Sequence, residues 1–180
     1  MRASNRQRGF TLIEMAIGGA VTACILTGVA GLFASSNGLA NRSHADLSAN
    51  LSSRRSLERL TDLLRCASAA SITGFDVSGV ATTPVFQTVT GLNAGNPVLS
   101  LPVTLQWQAL TASVPGITNP GQLVKIQGGV ATRIASNVPA GGFSITQLGG
   151  SLRIHLTTYA SMADGETSLV SDDALVRVRN

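Results

Sequence analysis

The sequence predicts an α+β fold: a long N-terminal helix, membrane-spanning in its first half, packed on an antiparallel β-sheet by its second. Three observations carry this expectation. Met15 to Asn41 is a run of 27 residues without one charge. Ala40 to Ala70 then contains no proline and no glycine, and its leucines recur at near-helical intervals. After Ala70 the chain turns to short period-two runs between Gly, Pro and Asn turns.

Composition bounds the answer before any element is placed. The 180 residues suffice for one domain and an extension. A hydrophobic content of 44% against 12% charged residues excludes a disordered chain. Aromatics are only 4%, so the core must rest on Leu, Ile, Val and Ala. The formal net charge of +4 suggests an acidic partner, but Arg2, Arg6 and Arg8 supply three basic residues within the first nine. From Phe10 onward, ten basic residues face nine acidic ones. No Lys/Arg run interleaves with aromatics, so no nucleic-acid partner is expected.

The first element opens on a flank, MRASNRQRG, that is basic and free of acids. As a helix, the uncharged run would extend about 40 Å, more than a hydrocarbon core of ~30 Å requires. The basic flank holds the N-terminus in the cytoplasm and places the rest of the chain outside it. Three readings fit. A secretory signal peptide would be cut after a small residue such as Gly31 or Ala34, although its apolar region would be long and would contain Glu14. An uncleaved anchor accepts the length and leaves Glu14 unexplained. Cleavage between Gly9 and Phe10 keeps the apolar helix and puts Glu14 beside a new N-terminus.

Glu14 decides how this segment is weighed. A carboxylate inside an apolar, membrane-length stretch is expensive and marks function. The contiguous run Arg8-Gly9-Phe10-Thr11-Leu12-Ile13-Glu14 resembles the prepilin motif of type IV pilins and type II secretion pseudopilins. The resemblance implies that prepilin peptidase cuts after Gly9 and that Phe10 is N-methylated. It also implies that Glu14 registers an incoming subunit against its neighbour's N-terminal amine. Elementary chemistry agrees with each role. Gly9 lets an extended backbone enter a protease cleft. Cleavage removes three positive charges and creates an amine, and an ion pair in lipid costs far less than either charge alone.

The second half of the helix should run from 38 to 70. Leu47, Leu51, Leu57, Leu60 and Leu64 mark its apolar stripe. Arg54, Arg55, Glu58, Arg59, Asp62 and Arg65 form a solvated face. From Phe10 to about Ala70 the helix would measure roughly 90 Å, a strut rather than part of a small domain. Gly18, Gly19, Gly28 and Gly31 suit close helix packing in lipid better than local unwinding. Cys24 and Cys66 would lie about 63 Å apart and cannot pair within the chain, and Cys66 is expected to be buried near the helix end.

Residues 71–180 form the expected β domain. Leu99, Leu101, Val103, Leu105 and Trp107 alternate as one strand, with Pro102 marking an edge or bulge. Gly128-Gly129 and Gly149-Gly150 suit tight hairpins, and Ala174 to Val178 reads as a final strand. The stretch LFASSNGLANRSHADLSANLSSRRSLERLTDLLRCAS, with Leu64-Arg65-Cys66-Ala67 near its end, is similar to the minor pilin W and pseudopilin J types. GQLVKIQGG, IASNVPAGGFSI and the ending VRVRN look alike to that subgroup as well.

No catalytic constellation is legible, and no enzyme, metal or cofactor is expected. His155 alternates with Arg153 on a polar strand face, and His44 follows the span. No HExxH, CxxC, GxSxG or Walker pattern occurs. Asp164, Glu166, Asp172 and Asp173 offer oxygen ligands for Ca²⁺, but their spacing is not that of an EF-hand, and a solvated loop with an Asp-Gly turn fits better. The sequence thus points to a leader (1–9), a transmembrane and polymerisation helix (10–37), its amphipathic continuation (38–70) and an extracytoplasmic β domain (71–180). The expected role is a structural subunit of a type IV pilus or type II secretion pseudopilus in the inner membrane. Its partners would be other pilins or pseudopilins, prepilin peptidase and the inner-membrane assembly platform. The rival is a membrane-anchored extracytoplasmic binding or enzymatic domain with an ordinary signal anchor.

Overall fold

Residues 11–162 and 165–178 are described by a computed structural model. The leader with Gly9, then Phe10, and Asp164 in the acidic stretch lie outside the described residues. The chain divides into two units, Met1–Asn41 and Arg42–Asn180. Helix α1, Leu12–Arg65, contributes residues to both.

In the first unit every described residue is exposed, Leu12, Ile25, Leu26, Leu32 and Phe33 among them. The hydroxyl of Thr22 donates to the Gly18 carbonyl at 2.7 Å and that of Thr27 to the Ala23 carbonyl at 2.8 Å. Both side chains therefore find their partners within the helix, as an apolar solvent demands.

The second unit has an interior. Here α1 buries Ala45, Ala49, Ser53, Ser56, Leu57, Leu60 and Leu64. This stripe corrects the expected one, because Leu47 and Leu51 are 58% and 46% exposed. From Ala45 the buried positions step by three or four residues through Ala49, Ser53, Leu57 and Leu60 to Leu64, with Ser56 beside Leu57, and Leu47 and Leu51 fall off that face. Small residues occupy its upper part because the helix approaches the sheet closely there. Ala45 and Ala49 pack with Ala160, and the buried Thr158 hydroxyl donates to the Ala49 carbonyl at 3.3 Å.

The helix stops at Arg65, short of the expected 70. No Gly or Pro ends it; the sheet recruits its backbone instead. Ala67 N–H turns to the Leu64 carbonyl at 3.1 Å, and Ser68 N–H donates to the Gln87 carbonyl at 2.9 Å. Val89 N–H donates to the Cys66 carbonyl at 2.8 Å. The turn carries Ala67 inward and leaves Cys66 exposed, which corrects its expected burial. Cys24 is also exposed, and both thiols are free.

Among the described residues ten strands follow: β1 Val80–Ala81, β2 Val85–Phe86, β3 Val89–Asn93, β4 Asn96–Leu99, β5 Val103–Ala109, β6 Pro120–Gln127, β7 Val130–Pro139, β8 Phe143–Leu148, β9 Ser151–Ser161 and β10 Thr167–Arg177. They form two four-stranded sheets, ordered β1-β8-β9-β10 and β2-β5-β6-β7, and a separate β3-β4 hairpin. All these pairings are antiparallel. The short β1 and β2, split by Thr82-Thr83-Pro84, pass the chain from one sheet to the other. The strand expected from Leu99 to Trp107 is likewise broken. Proline at 102 cannot donate to a ladder, so β4 ends at Leu99 and β5 begins at Val103. The glycine hairpins form as expected: Gly128 and Gly129 both have positive φ and join β6 to β7, and Gly149-Gly150 joins β8 to β9.

Leu57, Leu60 and Leu64 seat on both sheets. Phe86, Leu105 and Leu123 reach them from one, and Ile145, Ile154 and Leu156 from the other. Burying each leucine contributes about 1.5–3 kcal/mol. Trp107 packs at the margin of this core and donates from Nε1 to the Val138 carbonyl at 2.9 Å.

Candidate functional site: the N-terminus of the apolar helix

Thr11 lies just before α1 and Glu14 lies in its first turn. The backbone N–H and the hydroxyl of Thr11 each donate to Glu14 Oε2 at 2.9 Å. Glu14 N–H donates in return to Thr11 Oγ1 at 3.3 Å. This is a capping box: the pair satisfies backbone donors that every helix N-terminus leaves orphaned. The negative carboxylate also faces the positive end of the helix dipole.

The capping role was missed in reading the sequence, although its signal is there. Thr11-Leu12-Ile13-Glu14 is the pattern T-x-x-E immediately before an apolar run. Glu14 therefore has local work within its own chain. Both bonds from Thr11 fall on Oε2, and Oε1 accepts none among the described residues. One oxygen holds the cap and the other is open to a cation. Of the residues expected to share this site, Gly9 and Phe10 lie outside the described region, so the geometry rests on Thr11 and Glu14.

Behind the cap, α1 is long and apolar enough to cross a membrane, with an 18-residue window of mean hydropathy 1.9. Open space lies beside Gly18, Gly19, Gly28 and Gly31. Such positions let a neighbouring helix approach closely in lipid.

The acidic residues near the C-terminus are arranged differently from expectation. Asp172 and Asp173 sit within β10, opposite Leu156 and His155, and not in a loop. Asp173 takes an ion pair from Arg153 at 3.3 Å and a hydrogen bond with His155 Nδ1 at 2.9 Å. Glu166 pairs with Arg42 at 3.1 Å. Among the described residues no three His, Cys, Asp or Glu side chains gather to hold a metal.

Comparison with protein families matches residues 4–30 to the prokaryotic N-terminal methylation motif. The chain thus carries a type IV prepilin-like signal, on a helix whose later part packs on antiparallel sheets as in a pilin-like α+β fold. No curated protein matches the chain. No solved structure matches it either.

Proposed function

We propose that this chain is a minor pilin or pseudopilin, a structural and non-enzymatic subunit of a type IV pilus or type II secretion pseudopilus. The carrying observation is the methylation motif at residues 4–30 running without a break into a helix of membrane length. In this reading prepilin peptidase cuts between Gly9 and Phe10, and Phe10 becomes the methylated N-terminus. The subunit waits in the inner membrane with its β domain outside the cytoplasm. The assembly platform then adds it to other pilins or pseudopilins. Likeness to the minor pilin W and pseudopilin J types in Leu64-Arg65-Cys66-Ala67 favours a minor position over the bulk of the shaft.

Glu14 acts twice in this scheme. Oε2 stays with the Thr11 cap, and Oε1 receives the amine of a neighbouring subunit's Phe10. The ion pair forms where each charge alone would be costly, and that cost enforces register.

The test is the intact mass and N-terminal peptide of the chain extracted from its native membrane. A chain starting at methylated Phe10 is expected. Gly9→Trp should abolish processing. Glu14→Ala should still be processed yet enter filaments poorly. A native chain starting at Met1, or normal assembly of the Glu14→Ala protein, would sink this reading.

A further inference from the structure

Strands β9 and β10 carry a chain of hydrogen-bonded side chains that neither the cap nor the core uses. Period-two alternation puts Arg153, His155 and Thr157 on one face of β9. The antiparallel register sets Asp173 opposite His155 and Ser171 opposite Thr157. Arg153 donates to Asp173 Oδ2 at 3.3 Å, and His155 Nδ1 lies 2.9 Å from Oδ1 of the same carboxylate. The other ring nitrogen, Nε2, lies 3.3 Å from Thr157 Oγ1, and Thr157 Oγ1 lies 2.8 Å from Ser171 Oγ. A carboxylate only accepts, so the neutral ring keeps its proton on Nδ1 and turns a lone pair on Nε2 to the Thr157 hydroxyl. The Ser171 hydroxyl then donates to Thr157 Oγ1. Thr157 also lines an open groove of about 290 Å³, together with Ile117, Pro139, Gly141 and Leu169. Among the described residues the Gly141 N–H has no hydrogen-bond partner.

We infer that Thr157 is an acylation site, an activated hydroxyl that accepts a short apolar acyl group from an activated ester. Carboxylate, imidazole and hydroxyl stand in the order that nucleophilic attack requires. Thr157 Oγ1 forms a bond to the acyl carbon as its proton passes to His155 Nε2. The bond from that carbon to the leaving oxygen then breaks, and the imidazolium gives the proton to the leaving group. Asp173 steadies the imidazolium and Arg153 steadies Asp173, so both are positioning residues. The Gly141 N–H is the donor free to meet the oxygen that carries negative charge between the two steps. Ile117, Pro139 and Leu169 offer the acyl chain an apolar bed. The product is one ester per chain, a covalent mark rather than turnover, so the site stands beside the assembly role and does not rest on it.

The experiment gives the full chain, in detergent micelles, p-nitrophenyl butyrate. Absorbance follows the nitrophenolate released, and mass spectrometry of the peptide Ile154–Arg177 places the butyryl group. One butyryl group on Thr157 is expected. His155→Gln should slow the labelling about 100-fold. Asp173→Asn should slow it about tenfold at saturating ester and leave the half-saturating ester concentration unchanged, a split that a merely structural role would not give. Thr157→Val should abolish the label and Thr157→Ser should return it. An unshifted urea transition of Trp107 in each variant shows that the fold is kept. Thr157 labelling as fast in His155→Gln as in the natural chain overturns the inference. So does a label confined to Ser171, to Lys125 or to the N-terminal amine, or no label at all.

Discussion

Leu26 and Leu60 belong to the same helix, yet Leu26 is 63% exposed and Leu60 is fully buried. The first lies among residues whose apolar side chains are all open, and the second is shut between two sheets. The same side chain therefore has two kinds of work. From Arg42 onward the chain supplies its own apolar solvent in Phe86, Leu105, Ile154 and their neighbours. Before Asn41 that solvent must come from lipid or from other helices. The contrast separates what stabilises the subunit from what assembles it.

The sharpest break of that contrast is Leu60→Ala. It removes a fully buried side chain and should destabilise the second unit by about 2–5 kcal/mol. Leu26→Ala should leave the same transition within about 0.5 kcal/mol. Urea unfolding of the full chain in detergent micelles reads both, with Trp107, the sole tryptophan, as the fluorescent probe. Equal effects would mean that the two stretches share one folding unit.

Next in size is Gly121→Ala in β6. An added Cβ would run into the Trp107 indole, and that ring is tied to the Val138 carbonyl. Overpacking of this kind costs about 1–3 kcal/mol. The loss should appear in the same unfolding curve together with a shifted Trp107 emission. An unchanged midpoint would show that the ring moves aside freely.

The two regions also differ in how much could be read from the sequence. The span was legible because a long uncharged run has few alternatives, and the TLIE run announced a processing motif, whereas the cap encoded by its T-x-x-E spacing was not read. The helix stripe was misread above Leu57. Leucines at 47 and 51 looked like core residues, whereas the close approach of β9 selects Ala45 and Ala49. Propensity also carried the helix on to 70, where pairing with residues 87–89 ends it at Arg65. β10 was cut short because Asp172 and Asp173 disfavour strand on composition alone. Their burial pattern still alternates once β9 is opposite them. Tertiary partners decided each of these cases, and local sequence does not name them.

A third prediction tests the cap at the lipid end of the contrast. Thr11→Val removes the hydroxyl that gives one capping bond and accepts another. Amide exchange in the first turn of α1 should rise about threefold or more, and Thr11→Ser should return it. The urea transition followed by Trp107 should not move. A first turn as protected in Thr11→Val as in the natural chain would remove Thr11 from the cap.

The smallest effect belongs to the β domain and depends on pH. Asp76 Oδ1 accepts the Ser78 hydroxyl at 2.6 Å, the Ser78 N–H at 2.9 Å and the Val80 N–H at 2.9 Å. The Ser78 hydroxyl first, and the Val80 N–H after it, hold the carboxyl below its ordinary value of 3.8. A depressed folded pKa means that the unfolded chain takes up the proton first as acid is added. The contribution of Asp76 is therefore complete above 3.8 and fades as pH falls through the lower folded value. Asp76→Asn keeps an acceptor for the turn and removes the titration. Between about pH 6 and about pH 3, the natural chain should lose slightly more stability than the Asn variant. Parallel losses would show that the turn holds Asp76 no more tightly in its charged form than in its neutral one.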